Sequence, residues 1–436
     1  MHKKCVLILL DGLGDRSYGQ LAFQTPLQAA HTPFMDKIAA SGANGLYHAG
    51  LLGQALPSEN AHFAMFGYEA SEFPGRGALE ALGAGIDLAP DDVAVLAHFA
   101  SLREENDCLI LVKGKPEASL DEVKLLIEAA GEYSQDGVNI RFLHTQGLRG
   151  ILVFRGKVAP FVTDTDPITD GFKVIALKPW SDFKNDTAVQ NTVRVLKSYL
   201  QKIYHTLKKH PLNDARLQKG LEPINGMVTQ RAGQLKTVTS FKERFGLRGL
   251  SIASGIVYQG LSAFIGLDFE KVIDTKDPGK DIAERLSIAC NALDNYDFIH
   301  VHTKTPDEAA HTKDPLTKKK VIESLDNGIG AAIGPLMDNP DVLIVLTADH
   351  STPSSGPLVH SGEPVPLTFC GQGIRRDFVR QFDEINAAQG ALGTVRGREL
   401  IYLILNHLDR AKLRGLMDTP VDQPFWPGNY DPFTLE

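Results

Sequence analysis

Asp11, Asp307, His311, Asp349, His350 and His360 are residues of the kinds that bind divalent cations. Three apolar runs lead to most of them: Val6 to Leu10 runs into Asp11-Gly12, Phe298 to His302 precedes Asp307, and Val342 to Leu346 precedes Asp349-His350. The strands of a parallel sheet place their C-terminal ends along one edge, so carboxylates and imidazoles far apart in sequence can meet there. Asp307 and His311 stand four residues apart, which a helical turn puts on one face. With His360 they make a three-ligand set that leaves positions open for substrate. Asp11, Asp349 and His350, joined by the Ser58 hydroxyl, make a second set. Mixed carboxylate and imidazole donors suit manganese; zinc, cobalt or magnesium are alternatives, magnesium being disfavoured by the histidines. Two ions about 3.5–4 Å apart stabilise the attacking and leaving oxygens of an in-line displacement. Ion binding would also lower the pKa of Ser58, in Pro57-Ser58-Glu59, and make it the nucleophile. The pattern reads as a two-metal phosphoryl-transfer centre.

Each piece alone has a plainer reading. Asp11-Gly12 is a common strand-ending turn, Thr347 to Pro353 would serve as a helix cap or loop, and a single histidine is more often structural than a ligand. The joint occurrence after three strand-like runs is what favours a site. Gly12-Leu13-Gly14 mimics a dinucleotide fingerprint, but Ser17 occupies the third glycine position, which rejects a nucleotide cofactor.

The elements that must position these residues alternate between strand and helix. Thr25-Pro26 reads as a turn and Thr32-Pro33 as a capped helix start, and a helical run follows Gly75-Arg76-Gly77 through Leu82. Arg103 to Lys115 is polar and turn-rich, which places a domain boundary there. Beyond it, Asp121 to Tyr133 and Thr187 to Lys208 read as helices, the latter stopped by His210-Pro211, with strands over Val138 to Phe142 and Gly150 to Phe154. From about residue 236 the alternation resumes, with Phe241 to Phe245 and Asp281 to Leu293 helical, Leu250 to Ala253 a strand, and a helix over Leu316 to Ile333. The expected organisation is a core in two parts, 1–104 and 236–436, with a domain inserted at 105–235. The Pro- and aromatic-rich tail after Thr419 is expected to wrap the surface.

At 436 residues the chain exceeds one ordinary core, in keeping with two domains. Its 43% apolar and 22% charged residues place it among globular proteins. The net charge, 45 − 53 = −8, without a basic block, excludes nucleic acid as the main partner. Cys5, Cys108, Cys290 and Cys370 lack metal-knuckle spacing, and Cys5 and Cys370 read as buried thiols. No apolar stretch approaches membrane-spanning length. The first strand carries Asp11, so no cleaved leader is expected, and the expected compartment is the cytoplasm. Nothing in the sequence points to an oligomeric state.

Leu10-Asp11-Gly12-Leu13-Gly14-Asp15-Arg16, Thr25-Pro26-Leu27, Thr32-Pro33-Phe34-Met35-Asp36, Gly75 to Gly83 and Asp307-Glu308-Ala309-Ala310-His311 together resemble cofactor-independent phosphoglycerate mutase of the archaeal type, in the alkaline phosphatase superfamily. Asp349 to Pro353 and His360 to Pro366 extend the likeness, and Thr163 to Pro167 and His210 to Arg216 resemble that family's inserted domain. The resemblance implies an α/β fold: an alkaline-phosphatase-like core with a mostly parallel sheet flanked by helices, and a smaller inserted α/β domain acting as a lid. It implies that Ser58 is transiently phosphorylated, that Asp307, His311 and His360 hold one ion, and that Asp11, Ser58, Asp349 and His350 hold the other. The substrate it implies is a small phosphorylated acid, 2- or 3-phosphoglycerate, with Arg76, His210, Arg216 and Lys304 as candidate grips. Surface salt bridges or helix-end roles are the plainer readings of the first three.

The sequence departs from the family at Pro57-Ser58-Glu59, where Gly-Ser-Asp is usual, and at Glu363, where aspartate is usual. Leu111 to Lys115 stands in place of an arginine-bearing segment, and Arg and Lys grip anions differently. Met227 to Gly233 replaces an aromatic and glycine-rich stretch. A metal-dependent phosphomonoesterase is therefore the alternative activity, and a non-catalytic metal- and phosphate-binding paralogue the alternative outside enzymes.

Overall fold

The three apolar runs are neighbouring strands of one eight-stranded sheet in the computed structural model, which describes residues 3–411 and 432–435. Across the sheet the order is Asp268–Lys271, Gly249–Ala253, Phe298–Thr303, Lys4–Leu10, Val342–Thr347, Val365–Cys370, Gly42–His48, Gly393–Arg396. Only Val365–Cys370 runs antiparallel to its neighbours. The central strands are buried on both faces, as continuous runs such as Val6-Leu7-Ile8-Leu9-Leu10 require in a sheet covered by helices. Cys5 and Cys370 are buried free thiols within it. The helices Pro278–Ala292 and Pro315–Ala332 pack on each other beside this sheet, the second opened by Asp314, whose carboxylate accepts from the Leu316 and Thr317 amides. The mostly parallel sheet meets the expectation for the core.

The chain divides into two compact units, one made of Met1–Phe73 and Val238–Glu436, the other of Pro74–Thr237. The second has its own antiparallel sheet: Cys108–Lys113, Val93–Glu105, Arg149–Arg155, Val138–Gln146 and Glu132–Gln135 in order, with Gly226–Gln234 also paired to Val93–Glu105. The helices Leu120–Ala130 and Thr187–Lys208 pack on it, burying Leu126, Val195, Leu196, Tyr199 and Ile203 with Val95, Phe99, Ile140 and Phe154. Thr187–Lys208, expected from the sequence, is capped by Asp186, which accepts from the Ala188 and Val189 amides. Gln234 N donates to Pro74 O at 2.8 Å, so this unit's first and last segments are tied together.

Three expectations change. The second unit starts at Pro74 rather than at residue 105, because Val93–Glu105 is the strand its sheet is built around. The turn-rich Arg103 to Lys115 segment is a hairpin, not a linker: Asn106 and Asp107 both adopt positive φ, 49° and 58°, the geometry of a two-residue hairpin turn. Thr25-Pro26, read as a turn, opens the short helix Pro26–Ala29 with a Thr25–Gln28 capping box. Among the described residues no helix is long and apolar enough to cross a membrane. The tail after Thr419 lies outside the described residues apart from 432–435.

Candidate metal centre

Strand register brings the distant ligands level. Leu9 pairs with His302 on one side and Thr347 on the other, so Asp11, two residues on, stands level with Lys304 and Asp349 at the C-terminal edge. Gly12 follows with φ +65°, and a Cβ there would lie 2.7 Å from both Asp307 Cβ and Thr352 Oγ1. Only glycine lets this turn pass so close to Asp307. The helix Thr305–His311 starts straight after its strand, and the four-residue spacing brings His311 Nε2 to 3.3 Å from Asp307 Oδ1. Ser58 is the first residue of the helix Ser58–Met65, after an extended Pro57. Anionic charge on its oxygen would therefore face the positive end of a helix.

Two groups of side chains close on each other. Ser58 Oγ lies 3.0 Å from His350 Nε2 and 3.4 Å from Asp11 Oδ1, and His350 Nε2 lies 3.4 Å from Asp11 Oδ1 and 3.3 Å from Asp349 Oδ2. Asp307 Oδ1 lies 3.3 Å from His311 Nε2 and 3.5 Å from His360 Nε2. The His350 and His360 rings stack with centroids 4.0 Å apart, which joins the groups into one centre. Asp11, Asp349 and His350 offer ligand atoms all within 4.8 Å of one another, as do Asp307, His350 and His360. Separations near 3.3 Å are those of atoms sharing an ion at about 2.0–2.2 Å. His360 is held through Nδ1, 2.8 Å from Leu56 O, which leaves Nε2 facing Asp307.

Three buried carboxylates in one place call for positive charge. Burial, with the Asp349 and Asp307 charges, pushes the Asp11 carboxyl up to about 7. Burial acts the same way on Asp349 and Asp307 but is outweighed. The His350 and His62 imidazoles hold Asp349 below the usual carboxylate range, and hydrogen bonds from His311 and His360 do so for Asp307. Asp349 Oδ1 accepts from the Gly12 and His350 amides at 3.0 and 2.9 Å, while its buried Oδ2 has no hydrogen-bond donor. An orphaned carboxylate oxygen facing an imidazole nitrogen and a neighbouring carboxylate suits a cation.

Comparison with known proteins agrees with this geometry. The metalloenzyme superfamily matches residues 3–407. A 2,3-bisphosphoglycerate-independent phosphoglycerate mutase of Methanocaldococcus jannaschii is 38% identical over 421 residues, 95% of each chain. The chain belongs to that mutase family. Among solved structures, a Pyrococcus horikoshii protein superposes with a TM-score of 0.77 at 28% identity, covering 95% of this chain and 100% of that one. A cofactor-independent phosphoglycerate mutase from Thermoplasma acidophilum gives 0.62 at 27% identity, covering 93% and 100%.

The residues expected on the substrate side do not gather as the candidate ligands do. Arg216 is buried, donating to Glu222 O, Glu122 Oε1 and Glu117 O, and so fastens the second unit's framework. His210 caps the helix Pro211–Gln218, its Nδ1 accepting from the Leu212 amide. Arg76 Nε donates to Glu80 within its own helix. Lys304, expected on the strand, instead follows it as the residue before the helix Thr305–His311, close enough for its charge to act on Asp11 and Glu308. Within the second unit, the Thr163 to Pro167 loop packs on Gly226–Gln234: Asp166 accepts from Gln230 and sits 3.7 Å from His98, and Asp164 accepts from the Arg231 amide at 2.6 Å. Ile168 and Arg231 flank this cluster at φ +67° and +53°, left-handed conformations that cost side-chain residues energy.

Sequence reading also missed the residues around the metal-type ligands. His62, His302 and Tyr258 contact Asp349, Ser58 and Asp11. His62 follows Ser58 by four residues, a spacing that signalled a shared helix face. His302 has the same parity as His300 in an otherwise apolar strand, and a buried histidine pair there was a signal of sorts. Tyr258 gave none.

Proposed function

We propose that this chain is a phosphoglycerate mutase that interconverts 2- and 3-phosphoglycerate through a phosphoserine at Ser58. The observation that carries the reading is the convergence of Ser58 Oγ with Asp11, His350 and Asp349 beside a second group of Asp307, His311 and His360. We assign Asp11, Ser58, Asp349 and His350 to one divalent ion and Asp307, His311 and His360 to another, with manganese as the preferred metal. Bound ions would withdraw charge from the phosphoryl oxygens and lower the Ser58 pKa.

The protein's own residues do the rest. Ser58 Oγ attacks the phosphorus of the incoming ester, the P–O bond to the glycerate oxygen breaks, and that oxygen takes up the proton that Ser58 gives up. The retained glycerate then presents its other hydroxyl, which attacks the phosphorus and releases its proton; the P–Oγ bond breaks and Ser58 regains a proton. The helix Ser58–Met65 points its positive end at the phosphoserine, and Lys304 adds a cation at the same edge. The Pro74–Thr237 unit is assigned to substrate contacts and to excluding water while the phosphoserine lasts.

The test is one incubation of manganese-loaded protein with 3-phosphoglycerate, followed by phosphorus NMR. Appearance of 2-phosphoglycerate without free phosphate is the expected result. Free phosphate alone would make the protein a phosphomonoesterase, and no change in either would overturn phosphoglycerate as substrate.

A further inference from the structure

Each of the two aspartates nearest Ser58 has one oxygen tied down and the other turned toward the His350 imidazole. Asp349 is tied by backbone amides. Asp11 is tied by side chains from elsewhere in the chain: Tyr258 Oη donates to Asp11 Oδ2 at 2.7 Å, and His302 Nε2 lies 3.1 Å from the same oxygen. The other oxygen, Oδ1, is the one that faces Ser58 Oγ and His350 Nε2. Tyr258 sits in the helix Ile256–Ile265 and His302 in the central strand Phe298–Thr303, and both are buried. Their rings pack with centroids 4.1 Å apart, and His62 closes the cluster at 4.9 Å from Tyr258 and 5.1 Å from His302.

The donors of this grip follow from the geometry. A phenol hydroxyl set against a carboxylate oxygen donates to it. His302 has Nε2 against the same oxygen and Nδ1 without any hydrogen-bond partner, so its ring hydrogen belongs on Nε2.

We propose that Tyr258 and His302 are positioning residues for Asp11: they occupy Oδ2, fix the carboxylate's rotation and so present Oδ1 alone to the ion shared with Ser58. The proposal rests on the metal reading given above. Partners that hold a ligand from behind are worth about 10–100-fold in metal affinity when removed. The effect should be confined to one ion, because neither residue touches Asp307, His311 or His360 by any hydrogen bond or ring contact among the described residues.

The experiment is calorimetric titration of manganese into chelator-stripped, full-length protein, wild type and variants, with a thermal melt of each. Wild type is expected to bind two ions, and Asp307→Asn to lose one of them, which labels the two sites. Tyr258→Phe and His302→Leu should weaken the remaining, Asp11-side ion about 10–100-fold and leave the Asp307-side ion unchanged. His302→Gln, whose amide N–H can stand where Nε2–H stood, should recover most of that loss, a rescue that loss of packing would not show. Wild-type affinity at both sites in Tyr258→Phe, or equal weakening of both, would overturn the positioning role while leaving the metal reading intact. A wild-type protein that binds no manganese would overturn both.

Discussion

At the scale of single residues, the centre is a contest between burial and charge, and its outcome can be read with pH. The Asp11 carboxyl, at about 7, is held above its unfolded value by burial and by Asp349 and Asp307. With no ion bound, its contribution to stability is full below about 4 and is lost as pH rises through about 7. An ion needs the ionised form, so protons compete with it. Manganese affinity should therefore fall about tenfold from pH 8 to pH 6 on account of Asp11 alone. Titrations at the two pH values check this, and equal affinity at both would argue against Asp11 as a ligand. Ser58→Ala should remove phosphoryl transfer by several orders of magnitude while manganese binding survives, because Asp11, Asp349 and His350 still close on the ion. Labelled phosphate trapped on the variant would show that the nucleophile lies elsewhere.

At the scale of elements, the ligand loops are fastened by a buried lysine. Lys318, on the helix Pro315–Ala332, is fully buried; its Nζ donates to Gly14 O and Thr352 O at 2.9 Å each and pairs with Asp15 at 3.1 Å. Those contacts clamp the loop after Asp11 to the loop after His350. Replacing Lys318 by Met leaves Asp15 buried without its partner and should cost about 3–5 kcal/mol in urea unfolding; a loss under about 1 kcal/mol would mean that the clamp is dispensable. Asp186→Ala removes the acceptor for two amides at the start of Thr187–Lys208 and should cost about 1 kcal/mol by the same measurement. That helix was legible in sequence, its end marked by the His210-Pro211 stop, while the Asp186 cap emerged only in the structure. The hairpin at Asn106-Asp107 was not. Its strands carry charged residues at Arg103, Glu104 and Glu105, so their pattern looked like a linker, and pairing inside a sheet overrode it.

At the scale of the whole molecule, the Pro74–Thr237 unit owns a buried core and has its first and last segments bound to each other by the Gln234–Pro74 hydrogen bond. A unit with those properties should fold alone. A fragment of residues 74–237 is expected to give a single cooperative melt with the circular dichroism of a mixed helix and antiparallel-sheet protein, and a non-cooperative melt would show that it depends on the rest of the chain.

The sequence by itself determined that these acidic and imidazole residues converge, since residues placed after apolar runs gather where parallel strands end. It also determined the family, because those same short stretches carry the likeness, and most of the helices, whose periods and caps are local. Only the tertiary structure decided how Arg216 is engaged and which side chains stand behind Asp11. Arg216 looked like a grip until three acceptors claimed its guanidinium, and Tyr258 looked like nothing until a helix set its hydroxyl against Asp11. The physical reason is the same in both cases. What a polar side chain does depends on which partners reach it first, and those partners come from distant parts of the chain that no local pattern brings together.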